Sequence, residues 1–328
     1  MNLETKKDKR KIKLIGVKRF RKYVFRALIC TVIILLIGFS YEKIGEYTDV
    51  NHYPPVGKMV DVNNHKINVY SKGEGKITVV FGSGLNTPSA YSDFYPIYNE
   101  ILKYAKIVTY DRPGHGWSEV TDEPRDIDTI VKEMHTALEK SGQKPPYILV
   151  GHSYASLQAI RFAQTYKNEV SGVMLIDGVN PEYYAKNGSE ISSGTVAKYK
   201  FLKSVGIARL ILNHTDLYSK NFKSLPDDLE QLYFGMFLKT MFNKNIVEEG
   251  KMGKASAKLI IANGHLGNLP LRILSAPSDT EWNDSQVALK EWSKDSEQIV
   301  VNGARHAIHQ SNPEVVSEQI KKLLENNK

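Results

Sequence analysis

The residues Gly151-His152-Ser153-Tyr154-Ala155 follow a short apolar run, Tyr147–Val150, and precede a helical stripe of Leu157, Ile160 and Phe162. A serine on so sharp a strand-to-helix turn is held in a strained backbone conformation, with its hydroxyl projecting above the sheet edge. Strand and helix nearly touch at such a turn, so small residues are needed two before and two after the serine. Gly151 and Ala155 meet that need. The five-residue pattern is common by chance, and its weight comes from standing between a strand and a helix. A serine hydroxyl is a poor nucleophile until a neighbouring imidazole takes its proton. Of the nine histidines, His306 is the best placed: it follows the last apolar run, Ile299–Val301, and stands seven residues before Pro313. His309 is the competing base, and its bland reading is a hydrogen-bonded surface histidine. His152, inside the turn itself, reads as packing beside the site.

These residues need a scaffold, and the apolar pattern supplies one. Met59–Val62 and Lys66–Tyr70 alternate around Asn63-Asn64, as a hairpin does. Short apolar runs recur at Ile77–Phe81, Ile107–Tyr110, Tyr147–Val150, Val173–Ile176, Leu271–Leu274 and Ile299–Val301. Helical stripes lie between most of them, among them Ile127, Ile130, Val131, Met134 and Leu138. Strand and helix in alternation predict an α/β fold: a mostly parallel central sheet with helices on both faces. The gap between the runs at Val173 and Leu271 is too long for a plain loop. Ser224 and Pro226 open a helix there, with the stripe Leu229, Leu232, Tyr233, Met236, Phe237 and Met241. Residues from Pro181 to about His265 are therefore read as a helical cap inserted over the sheet. Asn312-Pro313 opens a closing helix through Val315, Val316, Ile320, Leu323 and Leu324.

With the serine turn, the late histidine and the alternating elements in view, the chain resembles the α/β-hydrolase superfamily from about Val56 to Lys328. Asp111-Arg-Pro-Gly-His-Gly-Trp-Ser118 is similar to that superfamily's loop after the fourth strand. The resemblance implies a serine hydrolase with a nucleophile, acid, histidine order along the chain. The acid accepts the second ring N–H of the histidine and stabilises the imidazolium. Asp279, just beyond the seventh strand and 27 residues before His306, matches the superfamily's usual position. Asp177, at the end of the sixth strand, matches the position that some members use instead. Asp279 is the preferred acid and Asp177 the alternative; the other carboxylate would cap a loop. The oxyanion of the attacked carbonyl needs preorganised N–H donors. One would be the backbone of Tyr154. The resemblance implies Leu85 as the other, in Gly82-Ser83-Gly84-Leu85-Asn86, with Ser83 as the alternative if the register differs by two. Ser83 stands where relatives have histidine.

The net charge of +8 suggests nucleic acid until it is located: residues 1–26 hold eleven Lys or Arg against Glu4 and Asp8. The other residues carry 33 basic and 34 acidic groups, so the basic character belongs to a tail and no nucleic-acid partner is expected. The tail runs into an apolar stretch from Tyr23 to Tyr41, 19 residues interrupted only by Arg26. A helix needs roughly 20 apolar residues to cross the hydrocarbon core, and Arg26 can snorkel from its first turn. The expected organisation is a basic cytoplasmic tail over 1–26, a segment over 27–45 that takes in a single membrane-spanning helix (about 23–41) and the start of a linker, the linker itself over 42–56, and the catalytic domain over 56–328. The cationic side stays in the cytoplasm, which places the catalytic domain outside it, at the cell membrane. The competing reading is a cleaved signal peptide. The single cysteine, Cys30, lies inside the stretch, so no intrachain disulfide, cysteine-based zinc site or thiol nucleophile fits.

Within the fold, a dehalogenase needs an aspartate where Ser153 stands. Lyase or cofactor-free haloperoxidase chemistry could use the same triad, and an idle membrane-tethered binding module is the reading from another class. No phosphate-cradling loop or metal-ligand spacing appears, so neither a cofactor nor a metal is expected. The expected partners are a small ester or acyl substrate and, through the N-terminal helix, a membrane.

Overall fold

The computed structural model describes residues 3–214 and 225–326; Ser224, read as part of a helix start, lies outside them. Among the described residues, eight strands form one sheet: β1 (Lys58–Val62), β2 (His65–Lys72), β3 (Thr78–Gly82), β4 (Lys106–Tyr110), β5 (Tyr147–His152), β6 (Val170–Ile176), β7 (Leu271–Ser275) and β8 (Ser296–Val300). Their order across the sheet is β1-β2-β4-β3-β5-β6-β7-β8. β1 and β2 form an antiparallel hairpin through Asn63 and Asn64, both at positive φ, and β2 pairs antiparallel with β4; the rest is parallel. Side chains alternate between the faces of a strand, and both faces here are covered. Along β5, Tyr147 and Leu149 pack into one core with Leu157, Ile160 and Phe162, while Ile148 and Val150 enter a second with Phe94, Ile320 and Leu323. That double burial is why the central strands read as unbroken apolar runs.

The helices are α1 (Leu3–His52), α2 (Ala90–Asp93), α3 (Tyr98–Ile101), α4 (Ile127–Lys140), α5 (Ala155–Thr165), α6 (Pro181–Asn187), α7 (Ser193–Ser204), α8 (Ile207–His214), α9 (Asp227–Thr240), α10 (Lys244–Ala262), α11 (Thr280–Ala288), α12 (Ile308–Ser311) and α13 (Pro313–Glu325). The helices α6 to α10 fill the interval between β6 and β7, where a helical insertion is expected. The longest of them, α10, packs on α5 and α6.

Helix α1 contains the apolar stretch. Its most apolar 18-residue window has a mean hydropathy of 2.2 and no buried residue, long and apolar enough to cross a membrane. The expected linker over 42–56 is corrected: the helix continues to His52. Its last turns carry Glu42, Glu46 and Asp49, spaced so that they share one helical face. Arg209 of α8 pairs with Glu42 at 3.0 Å and Asp49 at 2.9 Å, and Lys203 of α7 reaches Glu46 at 3.0 Å. The turn joining α7 to α8 meets α1 backbone to backbone at Gly206 and Gly38. Polar pairing, which an apolar pattern does not show, is what prolongs the helix.

Candidate active site

The turn after β5 puts Ser153 at φ 53, in the left-handed region that a non-glycine residue occupies only under constraint. Three backbone hydrogen bonds hold it there: Ser153 N–H donates to Ile176 C=O (3.0 Å), and Ser153 C=O accepts from Ser156 (3.0 Å) and Val179 (3.2 Å). A Cβ on Gly151 would fall 2.7 Å from the Ala155 carbonyl oxygen, so no larger residue fits two before the serine.

His306 lies in the loop after β8, its Nε2 2.9 Å from Ser153 Oγ. On the other side of the ring, Nδ1 lies 2.6 Å from Asp177 Oδ2. Asp177 is buried, and its Oδ1 accepts two further bonds, from the Ala276 N–H and the Trp282 indole N–H, both at 3.1 Å. The preference for Asp279 is corrected. Asp279 is exposed and caps α11, its carboxylate accepting the Trp282 backbone N–H at 2.9 Å. The reason is topological: β6 lies directly beside β5, with His152 in register with Ile176, so the residue after Ile176 emerges next to the serine turn. β7 is one strand further out. Asp279 still bears on the site indirectly, because the helix it caps carries Trp282 to Asp177.

His309, the alternative base, is fully buried against Asp93 at 3.2 Å and stacked on Phe94, so the surface reading of it is also corrected. His152 packs beside the site: its Nε2 lies 3.2 Å from the His306 carbonyl oxygen, and burial together with the neighbouring histidines lowers its pKa well below the usual value.

The loop after β3 lies against the nucleophile, a Cβ at Gly84 falling 3.3 Å from Ser153 Cβ. Arg112, from the loop after β4, donates to the carbonyls of Ser83 (2.6 Å) and Gly84 (3.0 Å). A trans peptide holds its C=O and the following N–H on opposite sides, so with the Gly84 carbonyl turned to Arg112 the Leu85 N–H turns away from it. The buried Glu249 of α10 anchors this arginine, with Oε1 2.9 Å from Arg112 Nε. Its backbone carbonyl accepts the Tyr154 hydroxyl at 3.0 Å. One inserted helix thus braces both peptide segments expected to supply oxyanion donors. The Arg112–Glu249 pair spans 137 residues, and no local spacing points to it.

A profile of the alpha/beta hydrolase fold matches residues 77–244, just over half of the chain. The chain belongs to that family. The chain is 31% identical to the YbdG protein of Bacillus subtilis over 79% of its own length and 80% of the relative's. Among solved structures it resembles a laboratory-evolved variant of potato epoxide hydrolase, with a TM-score of 0.66 at 16% identity, covering 82% of this chain and 98% of that one. It also resembles a bromoperoxidase of Bacillus anthracis, with a TM-score of 0.62 at 18% identity, covering 82% and 99%. At such identities the structural likeness bears on the fold alone.

Proposed function

We propose that this hydrolase cleaves an ester or related acyl bond through a covalent acyl-enzyme, with Ser153 as nucleophile, His306 as base and Asp177 as acid. The observation that carries the reading is the unbroken hydrogen-bond relay, 2.9 Å from Ser153 Oγ to His306 Nε2 and 2.6 Å from Nδ1 to Asp177. In the proposed reaction His306 takes the Ser153 proton as Oγ attacks the acyl carbon. The Tyr154 and Leu85 N–H groups receive the oxyanion. His306 then protonates the leaving alcohol, and an incoming water repeats the sequence on the acyl-enzyme. The Asp177 carboxylate keeps the proton on Nδ1, leaving Nε2 free to accept.

The reading is tested with the full chain in detergent, assayed on p-nitrophenyl esters of graded acyl length. Turnover with a burst of nitrophenol is expected for at least one length. A chain that folds but turns over none of them would overturn the ester reading.

We also propose that α1 anchors the enzyme in a membrane with the catalytic domain outside the cytoplasm, in reach of esters at the membrane surface. The basic tail before an exposed apolar span supports this. The protein should stay with membranes at high salt, which releases a tail held only by charge, and should leave them in detergent. Protease added to cells stripped of their wall should digest the chain beyond Tyr41 and spare the basic tail. Recovery of a soluble form beginning near Tyr41 would contradict the anchor and identify a cleaved signal; a shielded domain would contradict the orientation.

A further inference from the structure

Three side chains from distant parts of the chain converge beneath the loop that carries His306: Asp93 at the end of α2, His152 at the end of β5 and His309 in α12. All three are buried, and one ligand atom from each lies within 4.8 Å of the others. Asp93 Oδ1 is 3.2 Å from His309 Nε2, and Asp93 Oδ2 is 3.9 Å from His152 Nδ1. Neither contact is an aligned hydrogen bond. Asp93 Oδ2, His152 Nδ1 and both ring nitrogens of His309 are buried with no hydrogen-bond partner. Buried polar atoms are almost always satisfied, so four orphans in one cluster call for something besides protein.

The tautomer of His152 narrows what that is. Its Nε2 faces the His306 carbonyl oxygen at 3.2 Å, an acceptor only, so Nε2 carries the hydrogen and Nδ1 a lone pair. That lone pair looks toward a carboxylate oxygen, which also has only lone pairs to offer. The 3.9 Å gap is too long for one shared proton. A cation would take lone pairs from both and from His309 together.

We propose that Asp93, His152 and His309 hold a divalent transition-metal ion of the zinc type. Bonds of about 2.0–2.1 Å in a tetrahedral site put neighbouring ligand atoms about 3.3 Å apart. His309 Nε2 stands 3.2 Å from Asp93 Oδ1, His152 Nδ1 stands 3.9 Å from Asp93 Oδ2, and one ligand atom from each residue lies within 4.8 Å of the others, so a small inward shift of the side chains would bring them to that spacing. Two imidazoles and a carboxylate suit zinc and its first-row neighbours. Two of the three ligands have the outer partner that such ligands need. His152 donates its second ring N–H to the His306 carbonyl, and Gln310 Nε2 donates to Asp93 Oδ1 at 2.6 Å. The ion would tie α2, the serine turn and the His306 loop into one unit, acting as a staple rather than touching the reacting atoms.

The test uses the full chain in detergent, tag removed, dialysed against chelator, loaded with Zn²⁺ or Co²⁺ and desalted. About one equivalent of metal should remain, the Co²⁺ form should show ligand-field bands, and loading should raise Tm by about 5 °C. His309→Gln, which keeps a polar side chain of similar size, should weaken retention at least tenfold. Retention below about a tenth of an equivalent with no change in Tm, or equal retention by His309→Gln, would overturn the site. The wild-type measurements stand if the variant does not fold, and none depends on ester turnover.

Discussion

Replacing Ser153 by alanine should lower kcat for ester hydrolysis about 10⁶-fold, the scale seen when the subtilisin serine is removed. The substitution isolates the hydroxyl. Alanine keeps the Cβ that packs near Gly84 and bears the same positive φ as the serine, so the turn should survive. What disappears is the atom 2.9 Å from His306 Nε2. A residual rate about 10³–10⁴ above that in water would remain, from substrate binding and the oxyanion donors. A loss of less than tenfold in a folded variant would remove Ser153 from the mechanism.

The second large effect separates the two aspartates. Asp177→Asn should lower kcat about 10⁴-fold, as the corresponding change does in chymotrypsin-type triads. The local geometry shows why. The carbonyl of an asparagine can still accept from the Ala276 N–H and the Trp282 indole, which occupy Oδ1 in the wild type. Its NH₂ then faces His306 Nδ1 as a donor, so Nδ1 must accept, the ring proton moves to Nε2, and Nε2 can no longer take the proton of Ser153. Asp279→Asn should cost little, because asparagine caps helices about as well as aspartate and Asp279 only caps α11. Comparing kcat of the two variants, with Tm as a control for folding, decides the matter. An inactive Asp279→Asn beside an active Asp177→Asn would reverse the assignment.

Much of the fold was legible because burial on both faces turns the strands at Val79, Val108, Leu149, Val173 and Ile273 into apolar runs. The serine turn was legible because Gly151 and Ala155 are steric necessities. The acid was not. Asp177 and Asp279 both follow strands, and the choice depends on which strand lies beside β5, a property of the assembled sheet. The end of α1 was misread for a related reason: Glu42 and Asp49 gain a helical role only once Arg209 is brought to them from a distant part of the chain. Arg112 with Glu249, and Asp93 with His152 and His309, are likewise pairings across the fold that no local pattern encodes.

The central claim, that Ser153 is the nucleophile activated by His306, meets its most direct test in covalent labelling of the folded chain with a fluorophosphonate, followed by mass spectrometry of the digest. The adduct should map to Ser153 alone, and Ser153→Ala should take no label. An adduct on another serine, or labelling that persists in the alanine variant, would contradict the account.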